Sequence, residues 1–188
     1  MHLTLAEVLI AQDEPAAAIE SAQQALIIVR DIGDRRQEAE TLMICGDASL
    51  MQREWTAAAR HFRAARDLFI EIDMAYWAQM PAAGLASALL SAGNAPAALA
   101  EVEHILERLA AGVGAADKCG VLMDCYSVLT AARDPRAEEV LAAAHAEMQR
   151  MLARIDDPQQ REAFLTRTTY QRLVTEWKER HPPPSHGC

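Results

Sequence analysis

The sequence predicts an all-α protein built from antiparallel helix pairs. Hydrophobic residues make up 51% of the 188-residue chain, yet aromatic residues are only 5% and alanine is very frequent. Alanine is the strongest helix former because it loses no side-chain entropy on ordering. In addition, three stretches of similar sequence begin 40 residues apart, at Leu5, Cys45 and Leu85. Such a period is typical of stacked helical units.

The three copies share small residues and chain breaks at matching offsets. The second residue of each copy is small: Ala6, Gly46 and Ala86. The breaks fall at Asp13-Glu14-Pro15, Arg53-Glu54-Trp55 and Gly93-Asn94-Ala95, and alanine follows each at Ala18, Ala58 and Ala98. A weaker fourth copy has its break at Arg133-Asp134-Pro135. Small residues let two helices cross closely, and a lone pair cannot bury its apolar stripe, so we expect the pairs to stack.

These residues resemble the tetratricopeptide repeat, and the second copy matches best, through Gly46, Trp55, Ala58, Phe62 and Ala65. The resemblance implies a right-handed α-solenoid of antiparallel helix pairs, with repeats over about 1–34, 35–73, 74–114 and 115–155. The period here is 40 residues instead of about 34. This longer form is similar to the helical-repeat region of large bacterial multidomain regulators, both LuxR-type activators and NTPase-containing signalling proteins. HEAT and armadillo repeats match the period alone and are the alternative.

The two ends of the chain differ. The first predicted helix, 3–11, is short, and its sequence MHLTLAEVLI lacks the polar face of a capping repeat. We expect either a fragment of a longer protein or a short native helix that dimerises or packs on the second helix. Asp156-Asp157-Pro158 is typical of a helix start. It predicts a C-terminal capping helix over 156–180, followed by a disordered tail, 181–188.

Charge and motifs argue against several functional classes. The net charge of −9 and the pI near 5.1 do not suit a nucleic-acid binder or a protein that docks on an anionic membrane. No apolar run reaches the about 18 residues that span a bilayer, and no secretory signal is present. The four cysteines form no CxxC pair, and HExxH, Walker and GxGxxG patterns are absent. We therefore expect a cytoplasmic, non-enzymatic protein without cofactor or metal.

Polar clusters on the predicted second helices have a plain interpretation. His61, His104 and His145, and the basic cluster of Arg60, Arg63 and Arg66, lie at helical spacing among acidic residues. We interpret them as solvated helix faces, with the basic cluster balanced by Asp67 and Glu71.

The resemblance also implies a protein-binding groove on the first helices of the repeats. Its positions in this sequence are Glu40, Met43, Asp47, Leu50, Met51, Met80, Ser87, Leu90, Leu122 and Tyr126. Most are apolar and none is basic, which suits an apolar helix or extended segment. The expected function is a protein–protein interaction module, the C-terminal repeat region of a bacterial transcription or signalling regulator. Its partner would be a peptide, a helix or a neighbouring domain of its parent chain. The alternative is a stand-alone scaffold that forms a homodimer or larger homo-oligomer through its N-terminal edge.

Overall fold

The computed structural model describes residue 6, residues 8–10 and residues 12–182, and these residues form helices and turns without a β-strand. The all-α prediction is confirmed for this part of the chain. The helices from residue 15 onward are α1 (Pro15–Asp31), α2 (Arg35–Met51), α3 (Trp55–Glu71), α4 (Gln79–Ser91), α5 (Ala95–Ala110), α6 (Lys118–Ala131), α7 (Ala137–Leu152), α8 (Pro158–Leu165) and α9 (Thr168–Arg180). Of the predicted helix 3–11, Ala6 and residues 8–10 are helical. Its other residues, and the predicted tail from residue 183, lie outside the described part. None of the described helices is both long enough and apolar enough to cross a bilayer.

The turns between helices repeat in the backbone as they do in the sequence. Residues with left-handed φ recur at intervals of 40: Asp13 (61°), Arg53 (60°), Gly93 (80°) and Arg133 (56°). A hydrogen bond from the next backbone N–H to a helix carbonyl closes each turn, as from Glu54 N to Ser49 O at 2.8 Å. This is the Schellman closure of a helix C-terminus. The predicted breaks are therefore confirmed as turns, including the weak fourth one.

The structure differs from two predicted helices. The third predicted repeat starts at residue 74 and implies a helix from there, but residues 75–78 form turns and α4 starts only at Gln79. The capping helix predicted over 156–180 is two helices, because Arg167 has extended backbone (φ −65°, ψ 137°) that an α-helix cannot contain. The break lets Phe164 stack on Tyr170 with ring centroids 4.0 Å apart. The predicted helix start is present, since Asp157 accepts from the Gln159 backbone N–H at 2.7 Å.

The chain divides into two compact units, residues 1–116 and residues 117–188. In the first unit, α1 to α4 each pack against the next helix, and α2 also contacts α4. In the second unit, α6 packs on α7, and α9 contacts both of them. A buried hydroxyl joins α6 to α9, where Tyr126 donates to a Glu176 carboxylate oxygen at 2.7 Å.

The core of the first unit contains a close approach between one aromatic ring and two glycines. Phe62 of α3 is 2% exposed, and its ring contacts Gly46 of α2 and Gly84 of α4. A Cβ placed on either glycine would lie 2.7 Å from a ring carbon, well inside the normal contact distance. Ala58, Ala59, Leu85 and Ala88 complete this core cluster. The small residue predicted at this helix crossing, Gly46, is thus required by the packing.

We predict that Gly46→Ala lowers the free energy of unfolding by about 1–3 kcal/mol, as overpacking does in filled cores. Without this clash, replacing glycine by alanine inside a helix would raise the free energy of unfolding by about 1 kcal/mol. In a Phe62→Ala background the ring is absent, so Gly46→Ala should become stabilising. Urea unfolding of the wild type, both single variants and the double variant measures this reversal. A stabilising Gly46→Ala in the wild-type background would show that the ring can move aside.

Candidate protein-binding site

A cavity of about 390 Å³ opens in the first unit. Its lining residues come from the N-terminal helical residues, from α2 and α3, and from residues 77–80: Ile10, Glu40, Met43, Ile44, Asp47, Phe69, Trp77 and Met80. Four of them, Glu40, Met43, Asp47 and Met80, belong to the predicted groove. The volume lies at the lower end of the range of small-molecule pockets and also suits one or two large side chains of a partner.

Helix α2 supplies one wall of the cavity because three residues share one of its faces. Glu40, Met43 and Asp47 are spaced three and four residues apart, so their side chains lie one above another along the helix. Met43 is half-buried against the core, whereas Asp47 is exposed. This wall therefore presents an apolar centre between two carboxylates.

Trp77 forms the opposite wall, in the turns that precede α4. Its indole stacks on Phe69 with ring centroids 6.4 Å apart, and Tyr76 meets it edge-on at 6.1 Å. The Arg36 guanidinium lies 5.2 Å from the indole centroid and also donates to Glu40 at 2.9 Å. Because several neighbours fix the indole, this wall is preorganised for a ligand.

The chemistry of the cavity favours an apolar group with a positive neighbour. Methionine and tryptophan side chains offer polarisable apolar surface that adapts to different partner side chains. Glu40 and Asp47 are acidic, and Arg36, which pairs with Glu40 and lies against the indole, is not among the residues that line the cavity. An aliphatic or aromatic side chain could therefore enter while a lysine or arginine beside it meets the carboxylates.

The remaining predicted groove residues lie elsewhere. Leu50 is half-buried against the core cluster around Phe62, and Met51 is 37% exposed. Ser87 and Leu90 are half-buried on α4 and do not line this cavity. Leu122 and Tyr126 are 3% and 1% exposed. The prediction of an open groove is therefore wrong for these last two, whose side chains are buried; the Tyr126 hydroxyl is bonded to α9.

The sequence analysis missed Trp77 and Phe69 as site residues. Both lie between the second and third copies, at positions outside the shared repeat pattern. A signal was present, since Tyr76 and Trp77 are two of the chain's six tyrosines and tryptophans. Adjacent aromatic residues in a joint outside the repeat pattern indicate a local packing or binding role.

A second cavity, of about 490 Å³, lies on α3, α4 and α5 and has a mixed lining of charged and apolar residues. Arg66 on its wall is half-buried, and one guanidinium nitrogen donates to both Glu101 oxygens at 2.8 Å. Arg66 also pairs with Asp67 at 2.9 Å, whereas Glu71 pairs with Arg35 instead. The prediction of a fully solvated basic face is therefore wrong for Arg66, which joins α3 to α5 through an ion pair.

One serine hydroxyl and three cysteine thiols, which are nucleophilic side chains, are held in arrangements that make them unreactive. Ser49 Oγ lies 3.4 Å from His61 Nδ1, but its proton is donated to the Cys45 carbonyl at 2.7 Å. His61 cannot take that proton, and burial together with the Arg60 charge lowers its pKa. Burial raises the pKa of Cys45 to about 11 and those of Cys119 and Cys125 to about 12. At neutral pH these thiols are protonated and poorly nucleophilic.

One half-buried carboxyl has a raised pKa. Burial raises the pKa of Asp124 on α6 to about 6, and the nearby Arg172 charge only partly opposes this effect. Between pH about 4 and 6 the folded chain therefore holds a proton that the unfolded chain has lost. Stability falls as pH rises through this range, and the cost remains at neutral pH. No metal-binding group of three or more His, Cys, Asp or Glu side chains occurs among the described residues.

We predict that Asp124→Asn raises the free energy of unfolding by about 1–3 kcal/mol at pH 7. The gain should largely disappear at pH 4, where the carboxyl is protonated in the folded state and about half protonated in the unfolded state. Asp134→Asn is the matched control. Hydrogen bonds from Arg136 lower the pKa of Asp134, so this variant should lower the free energy of unfolding at pH 7 instead of raising it. Urea unfolding at both pH values measures the difference. A gain that is equal at pH 4 and pH 7 would mean that charge is not its cause.

No protein-family model matches this chain, and comparisons with curated proteins and with solved structures found no match either. What the cavity binds is therefore inferred from its residues and their geometry.

Proposed function

We propose that this chain is a non-enzymatic protein–protein interaction module that binds an apolar peptide or helix segment in the cavity between α2 and Trp77. One observation carries the proposal. Four residues named as groove positions from the sequence, Glu40, Met43, Asp47 and Met80, line a single cavity together with the Trp77 indole. Helix-in-groove recognition places apolar anchors into a site of this kind.

The chemistry of the partner follows from the cavity wall. A leucine, methionine or phenylalanine anchor would contact Met43, Met80 and Trp77, and its burial supplies most of the affinity. A lysine or arginine on either side of the anchor would lie near Glu40 and Asp47. The net charge of −9 also draws a basic segment toward this chain and raises its association rate.

The wider setting is part of the same proposal. We infer a tetratricopeptide-like arrangement of the helix pairs, supported by left-handed turns at intervals of 40 residues and by the small residues at the helix crossings. The resemblance to bacterial regulators supports a role in transcription control or signalling. Cys45, Cys119 and Cys125 are free thiols, which suits the reducing cytoplasm.

A pair of designed peptides tests the proposal. Both form amphipathic helices with leucine anchors; one carries lysines beside the anchors and the other carries glutamates. We predict that the lysine peptide binds and shifts the indole N–H signal of Trp77 in a ¹⁵N-correlation NMR spectrum. The chain has three tryptophans, so the Trp55 and Trp177 signals serve as internal controls. No shift at Trp77 with either peptide would contradict the proposed site.

Two methionine variants separate the cavity from the rest of α2. Met43→Glu places a charge inside the cavity and should weaken binding of the lysine peptide at least about tenfold, or about 1.4 kcal/mol. Met51→Glu is the matched control, because Met51 is an exposed methionine of α2 outside the cavity. It should bind as the wild type does. Circular dichroism confirms that both variants are folded, and equal affinities would locate the binding elsewhere.

A further inference from the structure

The end of α1 carries the densest group of exposed apolar side chains in the described part of the chain. Ile27 is 71% exposed, Ile28 is 48% exposed, and Ile32, just after the helix, is 66% exposed. Ile28 and Ile32 are one helical turn apart, and Ile27 projects about 100° away from Ile28 around the helix, so the three form an apolar strip around the end of α1, here called the α1 patch. Contiguous apolar surface of this kind marks an interaction site more often than scattered exposed residues do.

The chain's own repeat shows what would cover part of this patch. Moving 40 residues along, Ile28 corresponds to Leu68 of α3, which is only 6% exposed. Leu68 belongs to a core cluster that includes Leu26 and Val29 of α1. A helix pair stacked ahead of α1, as α1 stands ahead of α3, would therefore bury Ile28.

A helix pair stacked ahead of α1 would not cover Ile27. Its equivalents are Asp67 and Glu107, both exposed carboxylates. This position thus faces solvent even where a helix pair is stacked in front of it, as with Asp67. An isoleucine here has apolar surface that only a contact outside the stacking area can cover.

We propose that a second copy of this chain covers the α1 patch, with the two α1 helices antiparallel across a two-fold axis. A two-fold axis brings the same patch of both copies together and requires it to be self-complementary. With the axis between Ile27 and Ile28, each Ile27 meets Ile28 of the second copy. The inference does not depend on the peptide site, because the α1 patch shares no residue with that cavity.

Charge supports self-pairing at α1 in particular. The chain carries a net charge of −9, so most pairings of its surface would bring like charges together. Helix α1 holds only Glu20, Arg30 and Asp31, and its net charge is one negative. In the antiparallel crossing described, Asp31 lies opposite Gln24 of the second copy instead of another carboxylate. The repulsion at this contact is therefore small.

Sedimentation velocity from about 1 to 100 μM tests the assembly, since a dimer dissociates on dilution. The wild type should be a dimer at the upper end of this range. The double variant Ile27→Glu with Ile28→Arg carries the residues that the repeat has at Glu107 and Arg108, which α5 already accommodates. This variant should be monomeric at every concentration. Ile70→Glu is the matched control, because Ile70 is 48% exposed on α3 and lies outside the patch; this variant should remain a dimer.

Disulfide trapping tests the geometry. In a Cys188→Ser background the other three cysteines are buried, so an added surface thiol is the reactive one. Ile28→Cys should form a disulfide-linked dimer under mild oxidation, and Ile70→Cys should not. A monomeric wild type at 100 μM would overturn the proposal. So would a dimer that survives Ile27→Glu with Ile28→Arg, or equal trapping at both positions.

Discussion

The first unit depends on the space that two glycines leave for one phenylalanine ring. Phe62 lies against Gly46 on one side and Gly84 on the other, with no room for a β-carbon at either position. The ring therefore sets how closely α2 and α4 approach α3. That spacing determines where Glu40, Met43 and Asp47 of α2 stand relative to residues 77–80. An apolar cavity of fixed width is the consequence of a contact that lies outside the cavity itself.

The second determinant is the joint between the second and third helix pairs. Residues 74–78 leave the helical path, and the departure presents Trp77 to Phe69 and to the face of α2. If the chain had continued directly into α4, Trp77 would lie on a helix. The direction of its indole would then be set by the helix and not by the cavity. Trp77, which lies outside the shared repeat pattern, thus supplies one wall of the candidate site. Loops and turns commonly carry binding residues, since packed helices are occupied with contacts to one another.

Features that depend on nearby residues were predicted from the sequence better than features that depend on tertiary contacts. Alanine content, small residues at the crossings and the recurring breaks predicted the helices and turns, because these depend on nearby residues. The left-handed conformation of Arg53 and Arg133 follows from their place in the repeat, as arginine alone does not favour it. The break at Arg167 brings Phe164 onto Tyr170, and helical periodicity alone does not predict it. Similarly, Leu122 and Tyr126 match groove positions by spacing, but contacts within the second unit bury them. Four of the eight residues that line the candidate cavity were predicted, and the two aromatic ones, Phe69 and Trp77, lie outside the shared repeat pattern.

The regular placement of left-handed turns has a consequence for how the gene can change. Asp13, Arg53, Gly93 and Arg133 occupy the same backbone state at equal spacing, so the chain can be cut and rejoined at any two of them. Joining Gln52 directly to Gly93 would remove one whole pair and leave a helix ending in the turn that it already uses. Unequal recombination between the corresponding codons would add or remove complete units without forcing any residue into a new conformation. Mutation can therefore change the number of helix pairs in this protein while every remaining turn is kept.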